Sequence, residues 1–338
     1  MYIREKEVEN IIEGLKGESV TVNNLSEYFG KQCLFVSVHQ RNQADKKVFI
    51  SDILMQNGVS DETMEFFAEY KNKTQISIFP NQQMKKISSI FSSVRGKRNL
   101  CSFGRDGLMT VETYKESFRP FFEEKKEELN DAIQVLTNCY DTSVETFKIG
   151  FERMLTDVGV EDDKIKNITK EVYSKIPKKS ELENMFGISL ELKAYPVVTS
   201  ISLLDGDISE DVKDSISEMG IQVCYDILGT NLSRAFKQVN DLLGYYQKAF
   251  KFKDSDRKRI QILSATLAKD NLLKNNMISE LSNDLKEYVN PKYKDDEIAE
   301  LLEETLAKIY KFASETDTVD ELILKNCVLD EADLKMYM

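Results

Sequence analysis

The segment RGKRNLCSFGRDG (95–107) and the later run FRPFFEEKKEELNDAIQVLTNCYDTSVETFKIGFERMLTDV (118–158) decide the fold of this chain. In the second run apolar residues recur at a mean interval of about 3.6 residues, which is the period of a straight α-helix. They are Phe118, Phe122, Leu129, Ile133, Leu136, Tyr140, Val144, Phe147, Phe151, Leu155 and Val158. Only Pro120 and Gly150 interrupt the pattern, so the sequence predicts one helical rod of about 60 Å, with other helices packed along it.

Composition excludes several broad classes of protein. The 338 residues are enough to bury a large core, 31% of them are charged, and the formal net charge is −12. A negative field repels phosphates, which argues against binding nucleic acid or a membrane surface over a broad area. No apolar run reaches the ~18 residues of a membrane span, and the charged N-terminus lacks the apolar region of a signal peptide.

The cysteines predict a reducing compartment. They stand at positions 33, 101, 139, 224 and 327, which is an odd number at wide spacings without a C-x-x-C pair. A disulfide framework or a structural zinc site needs paired, closely spaced cysteines. We therefore expect reduced thiols and a cytoplasmic location.

Periodicity predicts helices and a few strands along the rest of the chain. Alternating or β-branched runs predict strands at Cys33–Gln40, Thr74–Phe79, Leu100–Phe103, Leu108–Val111, Ile188–Lys193 and Val197–Leu204. Helical spacing predicts helices at 3–15, 50–57, 60–71, 81–94, 162–176, 209–228, 230–252, 255–274, 276–289 and 295–314. Gly229 is expected to separate two of these helices, because glycine weakens a helix interior.

Together these elements predict a predominantly α-helical α+β fold. A small mixed α/β head is expected from 1–108 with 160–206, and a long-helix bundle with coiled-coil-like packing from 109–159 with 207–315. Residues 316–338 are expected to form a C-terminal tail. The C-terminal helices have apolar stripes, for which the 118–158 rod is the expected packing surface.

The motifs of common enzymes are incomplete here. Gly30–Lys31 matches part of a phosphate-binding loop, but Leu25 and Gln32 replace the required glycine and hydroxyl residue. His39 is the one histidine, so catalytic triads and histidine-rich metal sites are hard to build. Paired carboxylates, as at Asp162–Asp163, stand on helix faces and helix starts, where solvation and the helix dipole account for them. We expect no catalytic residue, metal site or cofactor.

The basic residues Arg95, Lys97, Arg98 and Arg105 are the sharpest local anomaly in this acidic chain. We interpret 95–105 as a glycine-punctuated loop, and cations in such a loop bind phosphate or an acidic protein surface. The four residues are therefore the candidate partner-binding site. The alternative is an ordinary solvated loop.

The order of features resembles an uncharacterised bacterial and phage family, a domain of unknown function whose genes neighbour MoxR-type AAA ATPases and von Willebrand A-domain proteins. The shared features are the strand CLFVSVHQR (33–41), the basic stretch and glycine turn, the aromatic positions of the long helix, the acidic stretch EDDKIK (161–166), and DDEIAELLEETL (295–306) after an Asn-Pro turn. The resemblance implies a helical subunit in a bacterial cell or phage that works beside an ATPase. It supplies no catalytic residues.

The leading hypothesis is a non-enzymatic adaptor or scaffold subunit of a MoxR-type ATPase system. Its expected partner is a protein, and the resemblance implies a MoxR-type AAA ATPase or a von Willebrand A-domain protein. The alternatives are a self-assembling structural component of a phage particle, a metal-dependent enzyme that uses aspartate and glutamate, and a nucleic-acid binder that uses the basic segment.

Overall fold

The computed structural model describes residues 2–42, 50–60, 79–197 and 206–337. Its helices are α1 Tyr2–Ile11, α2 Leu25–Gln32, α3 Ile50–Gln56, α4 Asn81–Cys101, α5 Arg119–Asn138, α6 Tyr140–Asp157, α7 Asp162–Ser174, α8 Leu182–Met185, α9 Gly206–Ala249, α10 Asp254–Asp270, α11 Asn276–Tyr288, α12 Asp295–Thr316, α13 Glu321–Leu324 and α14 Glu331–Tyr337. Its strands are β1 Cys33–Asn42, β2 Leu108–Thr110 and β3 Phe186–Ala194. The predicted fold class is confirmed: the protein is predominantly α-helical with a small three-stranded antiparallel sheet.

The sheet confirms three of the predicted strands and corrects a fourth. β1, β2 and β3 cover the runs predicted at Cys33–Gln40, Leu108–Val111 and Ile188–Lys193. The sheet order is β2-β1-β3, and β2 is antiparallel to β1 with Cys33 opposite Thr110. The predicted strand Leu100–Phe103 is wrong, because α4 continues to Cys101 and only Phe103 makes a β-bridge, to Leu108. The predictions at 60–71, Thr74–Phe79 and Val197–Leu204 fall mainly outside the described residues.

The chain divides into two compact units, each built from separated segments. Unit 1 comprises Met1–Phe35, Ser102–Val111 and Lys193–Met338, and unit 2 comprises Val36–Cys101 and Glu112–Leu192. This division differs from the predicted head and bundle. The 118–158 stretch belongs to unit 2 together with α4 and α7, whereas the C-terminal helices belong to unit 1.

Unit 1 is organised around α9, a continuous helix of 44 residues. The predicted division of this helix at Gly229 is wrong. A Cβ atom at that position would lie 2.3 Å from the carbonyl oxygen of Thr318. Glycine is therefore needed because another segment approaches the helix closely, and burial of the flanking Leu228 and Leu232 keeps the helix intact.

The pair α10 and α11 completes the core of unit 1. Buried leucines and isoleucines of both helices join the cluster around α9. Ser264 and Ser282 connect the two helices reciprocally: each buried hydroxyl donates to the backbone carbonyl of the other residue, at 2.7 and 2.9 Å. The side chain of Asn275 caps α11 by accepting a hydrogen bond from the Ile278 backbone.

In unit 2 the predicted rod is divided at Cys139, which separates α5 from α6. The two helices pack on different elements: α5 contacts α4 and α8, and α6 contacts α7. Phe151 and Leu155 of α6 are buried in a cluster with Ile168 of α7. The apolar stripe thus serves two packing surfaces rather than one. Pro120 lies in the first turn of α5, and Gly150 lies inside α6 without breaking it.

Candidate protein-interaction site

The basic segment predicted as a loop is largely helical. Arg95, Lys97 and Arg98 lie in the last two turns of α4, and this part of the prediction is wrong. α4 buries Ile87, Ile90, Phe91 and Val94 on one face, and that burial carries the helix past Gly96. A Cβ atom at Gly96 would meet nothing within 4 Å, so this glycine marks no close approach.

Two of these cations connect α4 to strand β1. Arg95 donates a hydrogen bond to the side-chain oxygen of Gln40 at 2.7 Å, and Gln40 donates in turn to the carbonyl of Phe91 at 2.8 Å. The Nε of Arg98 donates to the carbonyl of Val36 at 3.2 Å. These contacts fix the helix to the strand, so part of the basic character has a structural use.

The other two cations, Lys97 and Arg105, lie beside an aromatic ring and in a glycine turn, respectively. The ammonium group of Lys97 lies 5.8 Å from the ring centre of Phe121, at cation–π distance. Arg105 belongs to unit 1, in a turn where Gly104 and Gly107 have φ of 60° and 80°. The structure therefore does not gather the four predicted residues into one loop. Their role in partner binding stays a prediction.

Unit 2 contains a cavity of about 510 Å³ that no sequence pattern predicts. We call it the edge groove. Its lining comes from the start of α5, the turn before it, and strand β3: Tyr114, Arg119, Phe122, Glu123, Lys126, Ile188, Ser189, Leu190 and Leu192. These residues lie about 70 positions apart in the sequence, so no local pattern indicates the groove.

A π-helical turn forms one wall of the edge groove. Residues Tyr114–Phe118 form a π-helix, and the backbone N–H of Arg119 donates to the carbonyl of Tyr114, five residues earlier. This wider turn buries Phe118 completely while Arg119 stays exposed. Single π-turns within α-helices are frequent at functional sites. Here the turn positions Tyr114 and Arg119, the two groove residues at its ends.

Arg119 and Lys126 give the edge groove a local excess of positive charge. Both side chains are exposed, and neither forms a salt bridge with any residue in the described part of the chain. Glu123 lies between them on the same face of α5, at positions i, i+4 and i+7. The neighbouring Lys125 differs, since it binds Glu128 at 2.9 Å and Glu124 at 3.2 Å.

Strand β3 forms the second wall of the edge groove. β3 stands at the end of the sheet order and pairs with one described strand, β1. Successive side chains of a strand point to opposite faces. Ile188, Leu190 and Leu192 alternate along the strand and share one face, and that face lines the cavity. Leu192 is 50% exposed and extends this surface.

Two buried thiols are poorly suited to nucleophilic chemistry. Burial raises the pKa of the Cys33 thiol to about 12. Burial also raises the pKa of Cys224, which is fully buried. A thiol that stays protonated at neutral pH is a weak nucleophile. These two cysteines are core residues of unit 1.

The histidine and the acidic residues that were candidates for catalysis lie on exposed sheet surface and at the starts of helices. His39 lies on exposed sheet surface, where its Nε2 is 3.0 Å from a carboxylate oxygen of Glu191. Asp162 and Asp163 lie in the first turn of α7, as predicted. Asp295 begins α12 and binds Arg257 at 2.6 Å. Among the residues whose positions are described, no group of three histidine, cysteine or acidic side chains is arranged to hold a metal ion.

Within 2–42, 50–60, 79–197 and 206–337, no helix has both the length and the apolar character needed to cross a membrane.

Comparisons of the chain with protein-family models, with curated proteins and with solved structures find no match. The evidence for function therefore lies in the geometry of the chain itself. Of the surfaces described above, the edge groove combines two exposed cations without a described salt bridge, a wall formed by strand β3 and a π-helical wall.

Proposed function

We propose that this chain is a non-enzymatic interaction protein, an adaptor or scaffold subunit that binds a protein partner at the edge groove. The observation that carries the proposal is the position of Arg119 and Lys126. Both are exposed cations without a described salt bridge, and they line one groove in a chain of net charge −12. Such a surface favours an acidic protein segment, because exposed cations attract carboxylates.

The partner we propose is a component of a MoxR-type AAA ATPase system in a bacterial cell or phage. The support is the resemblance in feature order, which is an associational argument. Under this proposal the chain connects another protein, a substrate of the system or a von Willebrand A-domain protein, to the ATPase. The ATPase supplies the chemistry.

The test is affinity capture from native cells, followed by measured affinity for the purified partner. The variant Arg119→Glu/Lys126→Glu reverses the charge of the edge groove. Lys166→Glu/Lys170→Glu changes charge equally on exposed positions of α7 and is the matched control. We expect the groove variant to weaken binding about tenfold or more, which corresponds to about 1.4 kcal/mol.

The control variant should bind like wild type, and both variants should keep wild-type circular dichroism and melting temperature. Equal binding by the groove variant and the control would contradict the proposal. Binding to a MoxR-type ATPase is tested separately, by mixing the two purified proteins.

Self-assembly is the second candidate function, and the mixed charge of the edge groove supports it. Arg119 or Lys126 of one copy can pair with Glu123 of a second copy. Light scattering over a range of protein concentrations tests this candidate. A mass that rises with concentration and falls in the groove variant would favour assembly over an adaptor role.

A further inference from the structure

We infer that the segment joining α9 to α10 binds single-stranded nucleic acid, with aromatic rings for the bases and cations for the phosphates. We call residues 245–259 the aromatic turn. The inference goes beyond the proposed function, because the aromatic turn lies in unit 1 and shares no residue with the edge groove. Three observations carry it: a local excess of positive charge, two exposed aromatic rings, and a backbone conformation that phenylalanine rarely adopts.

The aromatic turn is basic although the whole chain is acidic. It contains six lysine and arginine residues and two aspartates, in a chain of net charge −12. Arg257 is held by Asp295 at 2.6 Å. The other five cations are exposed or half-exposed and form no salt bridge with any residue that the structure describes: Lys248, Lys251, Lys253, Lys258 and Arg259. Because salt screens charges over about 10 Å, such a cluster attracts phosphates locally whatever the net charge of the chain.

Two aromatic side chains of the aromatic turn face solvent. Tyr245 is 57% exposed and Phe250 is 77% exposed. The guanidinium carbon of Arg259 lies 5.8 Å from the ring centre of Tyr245, so a cation stands beside one of these rings. In proteins that bind single strands, bases stack on exposed aromatic rings and neighbouring arginines strengthen the stacking. Rings and cations interleaved along one segment therefore suit a single strand.

The backbone at Phe250 supports a functional use of its ring. Phe250 follows the end of α9 with φ of 51°, a left-handed conformation that favours glycine. Its ring gains little burial there, since its aromatic neighbour is Tyr246 at 6.2 Å between ring centres. The ring that enters the core is Phe252, which is 4% exposed and stacks on Tyr246 at 4.9 Å. Backbone strain of this kind is concentrated at functional sites.

One carboxylate of α12 fixes the aromatic turn in place. Asp295 accepts a hydrogen bond from the backbone N–H of Phe252 at 3.3 Å and another from the guanidinium of Arg257 at 2.6 Å. The two donors stand on either side of the start of α10. A binding surface that is already ordered loses less conformational entropy when a ligand binds.

A single strand fits the aromatic turn better than the other anionic surfaces do. A duplex keeps the faces of its bases inside the stack, so the exposed rings would have no base to stack on. An anionic membrane is wide, and the negative field of the chain beyond the turn repels it. A single strand is narrow and flexible, so it can follow the cations and place bases on Tyr245 and Phe250.

The experiment measures fluorescence anisotropy of labelled oligothymidylate and oligouridylate of about 12 nucleotides with the full chain, at several salt concentrations. The ring variant, Tyr245→Ala/Phe250→Ala, removes both exposed rings. The lysine variant, Lys248→Gln/Lys251→Gln, removes two exposed cations.

Each variant has a matched control on exposed positions of unit 2. Val135→Ala/Ile149→Ala truncates side chains that are 43% and 61% exposed. Lys166→Gln/Lys170→Gln removes two exposed cations of α7. Both controls should bind like wild type, and all four variants should keep the wild-type circular dichroism.

We expect at least one of the two strands to bind, and the ring variant to weaken that binding about tenfold or more. The lysine variant should reduce the slope of log affinity against log salt by about 1.4, at about 0.7 for each phosphate contact on a single strand. Phe250→Gly should also weaken binding, while its melting temperature stays at or above the wild-type value, because glycine adopts the left-handed conformation without strain.

Several outcomes would overturn the inference. One is no binding of either strand to the wild-type chain at low salt. Another is wild-type affinity of the ring variant, or equally tight binding of a duplex of the same length, because binding would then depend on charge alone. A lower melting temperature for Phe250→Gly would make the ring structural. Stronger competition by phosphatidylserine vesicles or polyglutamate than by unlabelled strand would assign the aromatic turn to a membrane or an acidic protein.

Discussion

Replacing Gly229 by alanine tests the continuous helix α9 and the close approach of Thr318. In a helix interior, Gly→Ala normally stabilises by about 0.5–1 kcal/mol, because alanine loses less conformational entropy on folding. At 229 the new Cβ would lie 2.3 Å from the Thr318 carbonyl oxygen, a backbone atom. That carbonyl must retreat by about 1 Å to restore van der Waals contact.

Overpacking of this kind costs about 1–3 kcal/mol, which outweighs the gain in helix propensity. We expect Gly229→Ala to lower the free energy of unfolding by about 1–2 kcal/mol. Gly150 is the matched control, since it lies inside α6 and a Cβ there would meet nothing within 4 Å. Gly150→Ala should raise stability by about 0.5–1 kcal/mol.

The assay is urea unfolding followed by far-ultraviolet circular dichroism, because the chain contains no tryptophan. The two variants should move the midpoint in opposite directions while the slope of the transition stays unchanged. A Gly229→Ala midpoint at or above the wild-type value would refute the close approach. It would also leave the glycine in the middle of α9 without a packing reason.

Three further predictions concern unit 1. Arg234 binds Asp270 at 2.5 Å with both side chains less than a fifth exposed; Arg234→Met should therefore cost about 3 kcal/mol in urea unfolding, and Arg234→Met/Asp270→Leu should recover much of that loss. Cys33 and Cys224 should be alkylated by iodoacetamide at least about tenfold more slowly in the native chain than in denaturant, as measured by mass spectrometry, because burial raises the pKa of both thiols. Burial also raises the pKa of Asp226, so its ionised form destabilises the fold at neutral pH and this penalty disappears as the pH falls through the raised pKa. Asp226→Asn should thus stabilise by up to about 0.5 kcal/mol near pH 7, and thermal melts below about pH 4 should show no gain.

The fold class was predictable because local signals and burial agree over most of the chain. β-branched and aromatic residues identify β1, and helical spacing identifies α10 to α12 within a few residues. The boundaries failed where tertiary contacts outweigh local preference. Gly229 costs about 1 kcal/mol in a helix, which the burial around it exceeds. Cys139 is not a helix-breaking residue such as glycine or proline. The division there comes from the separate packing of α5 and α6.

The edge groove was beyond prediction for a different reason. Arg119 and Lys126 are ordinary helix cations in the sequence, and the charge run around Lys125 makes them look like part of a mixed solvated face. Their importance depends on β3 lying beside the start of α5, and such packing is set by contacts between distant segments. The basic segment around Arg95 attracted attention because its glycines imitate a loop. Those residues lie in α4 and contact β1 instead.

The affinity of the groove variant for the captured partner tests the central claim most directly. The measurement compares wild type, Arg119→Glu/Lys126→Glu and the control Lys166→Glu/Lys170→Glu against the same purified partner. We expect the groove variant to bind about tenfold or more weakly and the control to bind like wild type. Equal binding by the groove variant and the control, with both variants folded like wild type, would contradict the account.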